Sequence, residues 1–255
     1  MSVKRHQAPK NSVQTGNSLQ TGRFPVLDAL RGMTLLAMFA YHFSFDLNYF
    51  GAIRQNFYQD PFWITSRTLI LSGFLLLVGM SLVLANRNGV RWPVFWRRFG
   101  QVAGCALLVS IGSYLMYPKS WIYFGVLHHI ALASLLGLAF LRFEWGNLWL
   151  GIVLISVGAF VKLPVFDGPQ LNWFGLMTHK PITEDYVPLL PWFGGVLVGL
   201  FLGQRFLAAN LAQIKAWQPA SGAAHLLTLG GRHTLLLYML HQPIFMGLLY
   251  LLLGK

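Results

Sequence analysis

The sequence predicts an all-α fold, a polytopic membrane helix bundle of about seven transmembrane helices. Three observations carry this. Only 10% of the 255 residues are charged, against 55% hydrophobic, where a soluble domain carries roughly a quarter charged residues. The mean hydropathy is positive, at +0.55, and apolar runs of bilayer-crossing length, about 20 residues, recur along the chain. Basic residues collect at the ends of those runs, as topology signals do. That placement accounts for the net charge of +12, so a lipid bilayer is the expected partner and nucleic acid is not.

Taken in order, residues 1–22 are polar and lack the apolar core of a signal peptide, so they are expected to form a disordered cytoplasmic tail. Residues 23–255 are expected to form one membrane domain. Apolar segments lie at 26–48, 61–84, 97–117, 121–141, 146–164, 187–207 and 232–252. Arg142, Phe143, Glu144 and Trp145 alone separate the fourth and fifth, which predicts a tight helical hairpin. Cys105 lies inside the third and is expected to pack as a small hydrophobe. Two connections are longer: 165–186, and 208–231, where a short interfacial helix fits before Gly230–Gly231. Trp63, Trp121, Trp192 and Tyr250 fall near segment ends, as interfacial aromatics do. Twelve Lys and Arg residues flank one set of alternate ends and five the other. The N-terminus is therefore expected in the cytoplasm and the C-terminus outside.

Ionisable residues inside spans are costly and are functional candidates by default. The first span holds Asp28, Arg31, His42 and Asp46. Arg31 and His42 are eleven positions apart, close to three turns, so they share a face about 16 Å apart along the axis. Asp28 and Asp46 flank that stripe. Asp46 is placed to hold one ring nitrogen of His42 protonated and leave the other as a base, or to neutralise Arg67 of the second span. His128 of the fourth span is expected at the depth of His42. Because neighbouring helical positions point about 100° apart, only one of His128 and His129 can face a shared site. In the seventh span, Pro243 removes a backbone N–H donor beside His241 and Gln242. That step reads either as a polar pocket or as a packed kink. No ligand spacing for a metal occurs, and none is expected to bind.

Five blocks resemble the bacterial membrane family related to the catalytic domain of heparan-α-glucosaminide N-acetyltransferase. They are Leu27-Asp-Ala-Leu-Arg-Gly with His42 and Asp46-Leu-Asn-Tyr-Phe-Gly51, then Ile122-Tyr-Phe-Gly-Val-Leu-His128, Asp185-Tyr-Val-Pro-Leu-Leu-Pro-Trp-Phe-Gly194 and Tyr238-Met-Leu-His-Gln-Pro243. The spacing of Arg31 and His42 also looks like the signature of the wider membrane acyltransferase superfamily. The resemblance implies transfer of an acyl group, typically acetyl from acetyl-CoA, across the membrane to a glycan or amino sugar outside. By that analogy His42 or His128 carries catalysis with Asp46, and Arg31 belongs to the functional core of the first span. Asp28, Arg31, Arg67, Arg232, His241 and Gln242 are then the expected contacts to substrate and acyl-CoA. The resemblance also implies acyl-CoA as a co-substrate and a bacterial inner membrane as the location, and the oligomeric state, a homo-oligomer included, stays open. Two other readings fit the intramembrane charges: a proton-coupled small-molecule transporter, and a non-catalytic partner of a membrane complex.

Overall fold

The computed structural model describes residues 24–254, and the tail at 1–22 lies outside the described residues. The helices are α1 (Pro25–Tyr49), α2 (Pro61–Asn86), α3 (Trp92–Met116) and α4 (Val126–Gly137, with a 3-10 turn to Phe140). They continue as α5 (Trp145–Phe160), α6 (Leu189–Leu202, with a π turn over Gly203–Leu207), α7 (Leu211–Ala216), α8 (Gly222–Arg232) and α9 (Thr234–Leu253). No strand occurs among the described residues. A proline stands in the first turn of α1, α2 and α3, where no N–H partner is needed. Asp60 caps α2 by accepting the Phe62 N–H at 2.8 Å.

The seven predicted segments correspond to α1 through α6 and α9. Four helices are each long and apolar enough to cross a membrane: α2, α3, the Leu189–Leu207 unit and α9. α4 and α5 are shorter apolar helices, and α1 has the length but carries the charged stripe.

The core joins α2, α4 and α6 through Leu75, Leu82, Val83, Ala133, Phe193, Val196, Leu197 and Leu200. Glycines let the backbones meet. A Cβ on Gly79 would stand 2.2 Å from the Val196 carbonyl oxygen, and one on Gly199 would stand 2.3 Å from that of Leu76. Gly195 lies against Leu75 and Gly203 against Val83, so α2 and α6 run side by side in the same direction. α5 lies antiparallel to α6, with Gly151 against Gly194 and Gly158 against Pro191. One end of the bundle thus gathers Pro25, Asn86, Trp92, Phe140, Trp145 and Arg232, and is called the basic end here for its arginines.

Two segments depart from the sequence reading. The fourth helix starts at Val126 rather than at residue 121, because other partners take the backbone of 120–125. Ser113 Oγ accepts the Ile122 N–H at 2.9 Å, and Ser110 Oγ donates to the Ile122 carbonyl at 2.6 Å. The 183–187 stretch pairs with this segment through Glu184 N–H to Ser120 O (3.0 Å) and Val187 N–H to Phe124 O (3.1 Å). In the connection at 208–231, α8 is packed against α1. A Cβ on Gly231 would stand 1.7 Å from the Asp28 carbonyl oxygen, and one on Gly32 would stand 1.9 Å from that of Leu227.

Candidate functional site

The charged stripe of α1 divides into two clusters. At the basic end, Asp28 is 5% exposed. Its Oδ1 accepts from Arg31 Nη1 at 2.5 Å, while Arg232 Nε of α8 stands 3.8 Å from Oδ2. Arg31 Nη2 also donates to Ser81 Oγ of α2 at 2.5 Å, and Ser81 donates to the Leu77 carbonyl. One carboxylate between two guanidiniums leaves net positive charge, and the three helices are tied at this point. Arg232 also lines a cleft of about 440 Å³ along α8, together with Gln218, His225, Leu226 and Leu229.

Three turns further along α1, His42 meets α9 rather than α4. Its ring stands edge-on to His241, with centroids 5.0 Å apart. His241 Nδ1 lies 2.6 Å from the Tyr238 carbonyl oxygen. A carbonyl can only accept, so Nδ1 carries the proton and the neutral ring offers a lone pair at Nε2. That Nε2 is buried and has no hydrogen-bond partner. Phe39 stacks on the His241 ring at 5.5 Å, and Phe245 meets its edge at 5.9 Å.

Asp46, 1% exposed, accepts from Gln242 Nε2 at 2.7 Å through Oδ1. This bond orients the Gln242 amide and leaves its Oε1 as an acceptor. Both Asp46 Oδ2 and Gln242 Oε1 are buried without partners. The expected hydrogen bond between His42 and Asp46 is replaced by the Gln242 contact. Nor does Asp46 pair with Arg67, which makes no ion pair or hydrogen bond with a described residue. The cluster on α1 and α9 therefore holds three unpartnered acceptor atoms: Asp46 Oδ2, Gln242 Oε1 and His241 Nε2. Buried acceptors are stabilised by donors, so a ligand that suits them brings N–H or O–H groups.

His128 lies elsewhere. Its Nδ1 accepts the Gly125 N–H at 3.2 Å, and its Nε2 stands 3.0 Å from Ser110 Oγ. Since Ser110 Oγ donates to Ile122, it accepts from His128 Nε2–H. Both ring nitrogens are thereby engaged, and the side chain fastens the start of α4 to α3. The ring beside it is Phe124, and His42 and His128 do not come together. His129, fully buried, faces the backbone of Val187 and Pro188, and neither of its ring nitrogens has a well-formed hydrogen bond.

The connection between α5 and α6 supplies two residues that the sequence reading left out of the site. Asp185 Oδ2 accepts the Val126 N–H at 2.8 Å and so caps α4 from outside it. A Cβ on Gly125 would stand 2.2 Å from that oxygen, so only glycine fits beside it. Burial pushes the Asp185 carboxyl up from its ordinary value, against the Val126 bond and the Lys180 charge. Burial also pushes the Lys180 ammonium down, and the Arg67 charge adds to this, while Asp185 and Glu184 oppose it. The tyrosine hydroxyl of Tyr123, beside Asn172, is pushed up to about 12, again chiefly by burial. The signal that pointed to Asp185 was its place in the run Asp185-Tyr-Val-Pro.

Residues 23–243 match the family described as heparan-alpha-glucosaminide N-acetyltransferase, catalytic. The chain belongs to this family. The match opens just before α1 and closes at Pro243, so it takes in both halves of the α1–α9 cluster. Membership assigns a membrane acetyltransferase-type function and makes the protein a transferase. No curated protein and no solved structure matches the chain. Among the described residues, no group of three or more His, Cys, Asp or Glu side chains is arranged to hold a metal.

Proposed function

We propose that the protein moves an acyl group, acetyl in the first instance, from acyl-CoA at the basic end to an acceptor at the opposite end, a glycan or amino sugar. The observation that carries this reading is the buried cluster of three unpartnered acceptors next to paired histidines. An ammonium or amine presents several N–H donors and suits one carboxylate, one amide oxygen and one imidazole nitrogen.

In this reading the basic end receives the donor's phosphates through Arg232 and the cleft along α8. Arg31, held by Asp28 and Ser81, keeps the α1 stripe in register below the reacting groups. The acyl acceptor is held by Asp46 and Gln242. Its nitrogen or oxygen attacks the thioester carbonyl, so a C–N or C–O bond forms and the C–S bond breaks. His241 Nε2 takes the proton the acceptor loses and returns it to the departing thiolate. His42, edge-on to that ring, supplies an N–H to the oxyanion, in a cluster otherwise rich in acceptors. The basic end faces the cytoplasm, by the excess of Lys and Arg on that side.

The test is calorimetry of acetyl-CoA on purified protein, paired with acetyl transfer to glucosamine. Arg232→Ala is expected to weaken acetyl-CoA binding about tenfold or more. His241→Ala is expected to bind acetyl-CoA normally and to transfer no measurable acetyl group. Failure of folded wild-type protein to bind any acyl-CoA would refute the reading.

A further inference from the structure

Two close contacts fix the face that α8 turns away from α1. Gly231 lies against the Asp28 carbonyl and Gly32 against that of Leu227. At about 100° per residue, His225, Leu226, Leu229 and Arg232 therefore point outward together. These four side chains line the cleft of about 440 Å³ with Gln218 and Pro219, a volume within the roughly 300–1,000 Å³ of small-molecule sites. Leu226 and Leu229 are 71% and 52% exposed, so uncovered apolar surface separates two polar ends. At one end, Arg232 Nε stands 3.8 Å from Asp28 Oδ2, which ties this end to the α1 stripe. The guanidinium makes no hydrogen bond with a described residue. His225 stands two turns earlier, about 10 Å along the helix. Its ring, too, has no hydrogen-bond partner among the described residues.

We propose that His225 is a specificity residue of the donor cleft, binding the 3′-phosphate of coenzyme A while Arg232 binds its diphosphate. This rests on the acyl-transfer reading and names the part of the donor that the cleft recognises. Coenzyme A carries a 5′-diphosphate and a 3′-phosphate on one ribose, with an adenine beside them. The cleft has matching parts: a donor side chain at each end and two leucines between, against which an adenine face leaves water. Arg232 presents paired N–H groups to the diphosphate, and from there the pantetheine arm runs toward the α1 stripe. The His225 imidazole donates an N–H to the 3′-phosphate. A ligand with a single phosphate engages only one of the two ends.

Calorimetry in lipid-free detergent tests this by comparing acetyl-CoA with acetyl-dephospho-CoA, which lacks only the 3′-phosphate. For wild type the expected dissociation constant is about tenfold lower for acetyl-CoA. His225→Ala is expected to bring that ratio to about one and to leave acetyl-dephospho-CoA binding unchanged. Arg232→Ala is expected to weaken both ligands and keep the ratio. Lys215→Gln, on α7 outside the cleft, is expected to change neither. Adenosine 3′,5′-bisphosphate against adenosine 5′-phosphate gives the same comparison without a thioester. Equal binding of the two acyl donors by wild type overturns the proposal, as does a preference that survives His225→Ala or is lost equally in Lys215→Gln. Binding of no donor and no nucleotide overturns it together with the acyl-transfer reading. A bisphosphate preference lost in His225→Ala, without acetyl transfer to any sugar, would support the nucleotide site while the transfer reading itself fails.

Discussion

His128 and His241 each bond to a backbone group through Nδ1, and their chemistry diverges from there. The Gly125 N–H donates to His128, so that nitrogen is no base, and its Nε2–H is engaged by Ser110. The Tyr238 carbonyl accepts from His241, which leaves Nε2 as a buried lone pair. His241→Ala is therefore expected to lower kcat by about 10²- to 10⁴-fold with little change in melting temperature. His128→Ala is expected to do the reverse. It leaves a donor and an acceptor without partners, each at about 1–3 kcal/mol, and lowers the melting temperature while the folded fraction stays active. Thermal unfolding and steady-state kinetics on the same preparations separate the two. The candidate residues were legible as intramembrane polar groups on apolar helices, which requires only their identity and position. Which histidine joins His42 was not legible, since it depends on whether α4 or α9 packs against α1. The tautomers depend on backbone groups that no side-chain pattern reveals.

At the level of elements, close backbone contact between α1 and α8 positions Arg232 against Asp28. Gly231→Ala would put a methyl 1.7 Å from the Asp28 carbonyl oxygen, so the helices must part. A loss of about 1–3 kcal/mol is expected, read as a lower melting temperature together with weaker acetyl-CoA binding. The cap from Asp185 to α4 predicts a pH effect. Its carboxyl is raised above the ordinary value of 3.8, so the folded state holds that proton more tightly than the unfolded state. The resulting stability is complete below pH 3.8 and is lost as pH rises through the raised value. Asp185→Asn, which still offers an oxygen to Val126, is expected to flatten the fall in melting temperature as pH rises above 3.8. An unchanged slope would remove Asp185 as its source. Apolar run lengths and flanking Arg residues placed α1, α2, α5, α6 and α9 within a few residues. The start of α4 was misplaced because Trp121–Gly125 is as apolar as a helix, and only partners distant in sequence, Ser110, Ser113 and Thr183, draw its backbone away. α8 read as interfacial because its apolar content is low, and its glycines signalled packing only once α1 lay beside them.

Across the whole molecule, two polar clusters share one helix, with Arg31 and His42 about 16 Å apart along it. In the proposed orientation the first cluster faces the donor's compartment and the second the acceptor's. The bundle itself then joins two aqueous phases that an acyl-CoA cannot cross unaided. A transporter would carry its substrate through this seam unchanged, whereas the proposed enzyme passes only the acyl group. The direct measurement uses proteoliposomes of defined orientation, with acetyl-CoA on the side of the basic end and glucosamine on the other. The account predicts acetylated sugar on the glucosamine side and free CoA on the donor side in equal amounts, neither forming with His241→Ala. Glucosamine or acetyl-CoA that crosses unmodified, or wild-type protein that binds acetyl-CoA and yields no product with any amine or hydroxyl acceptor, would contradict it.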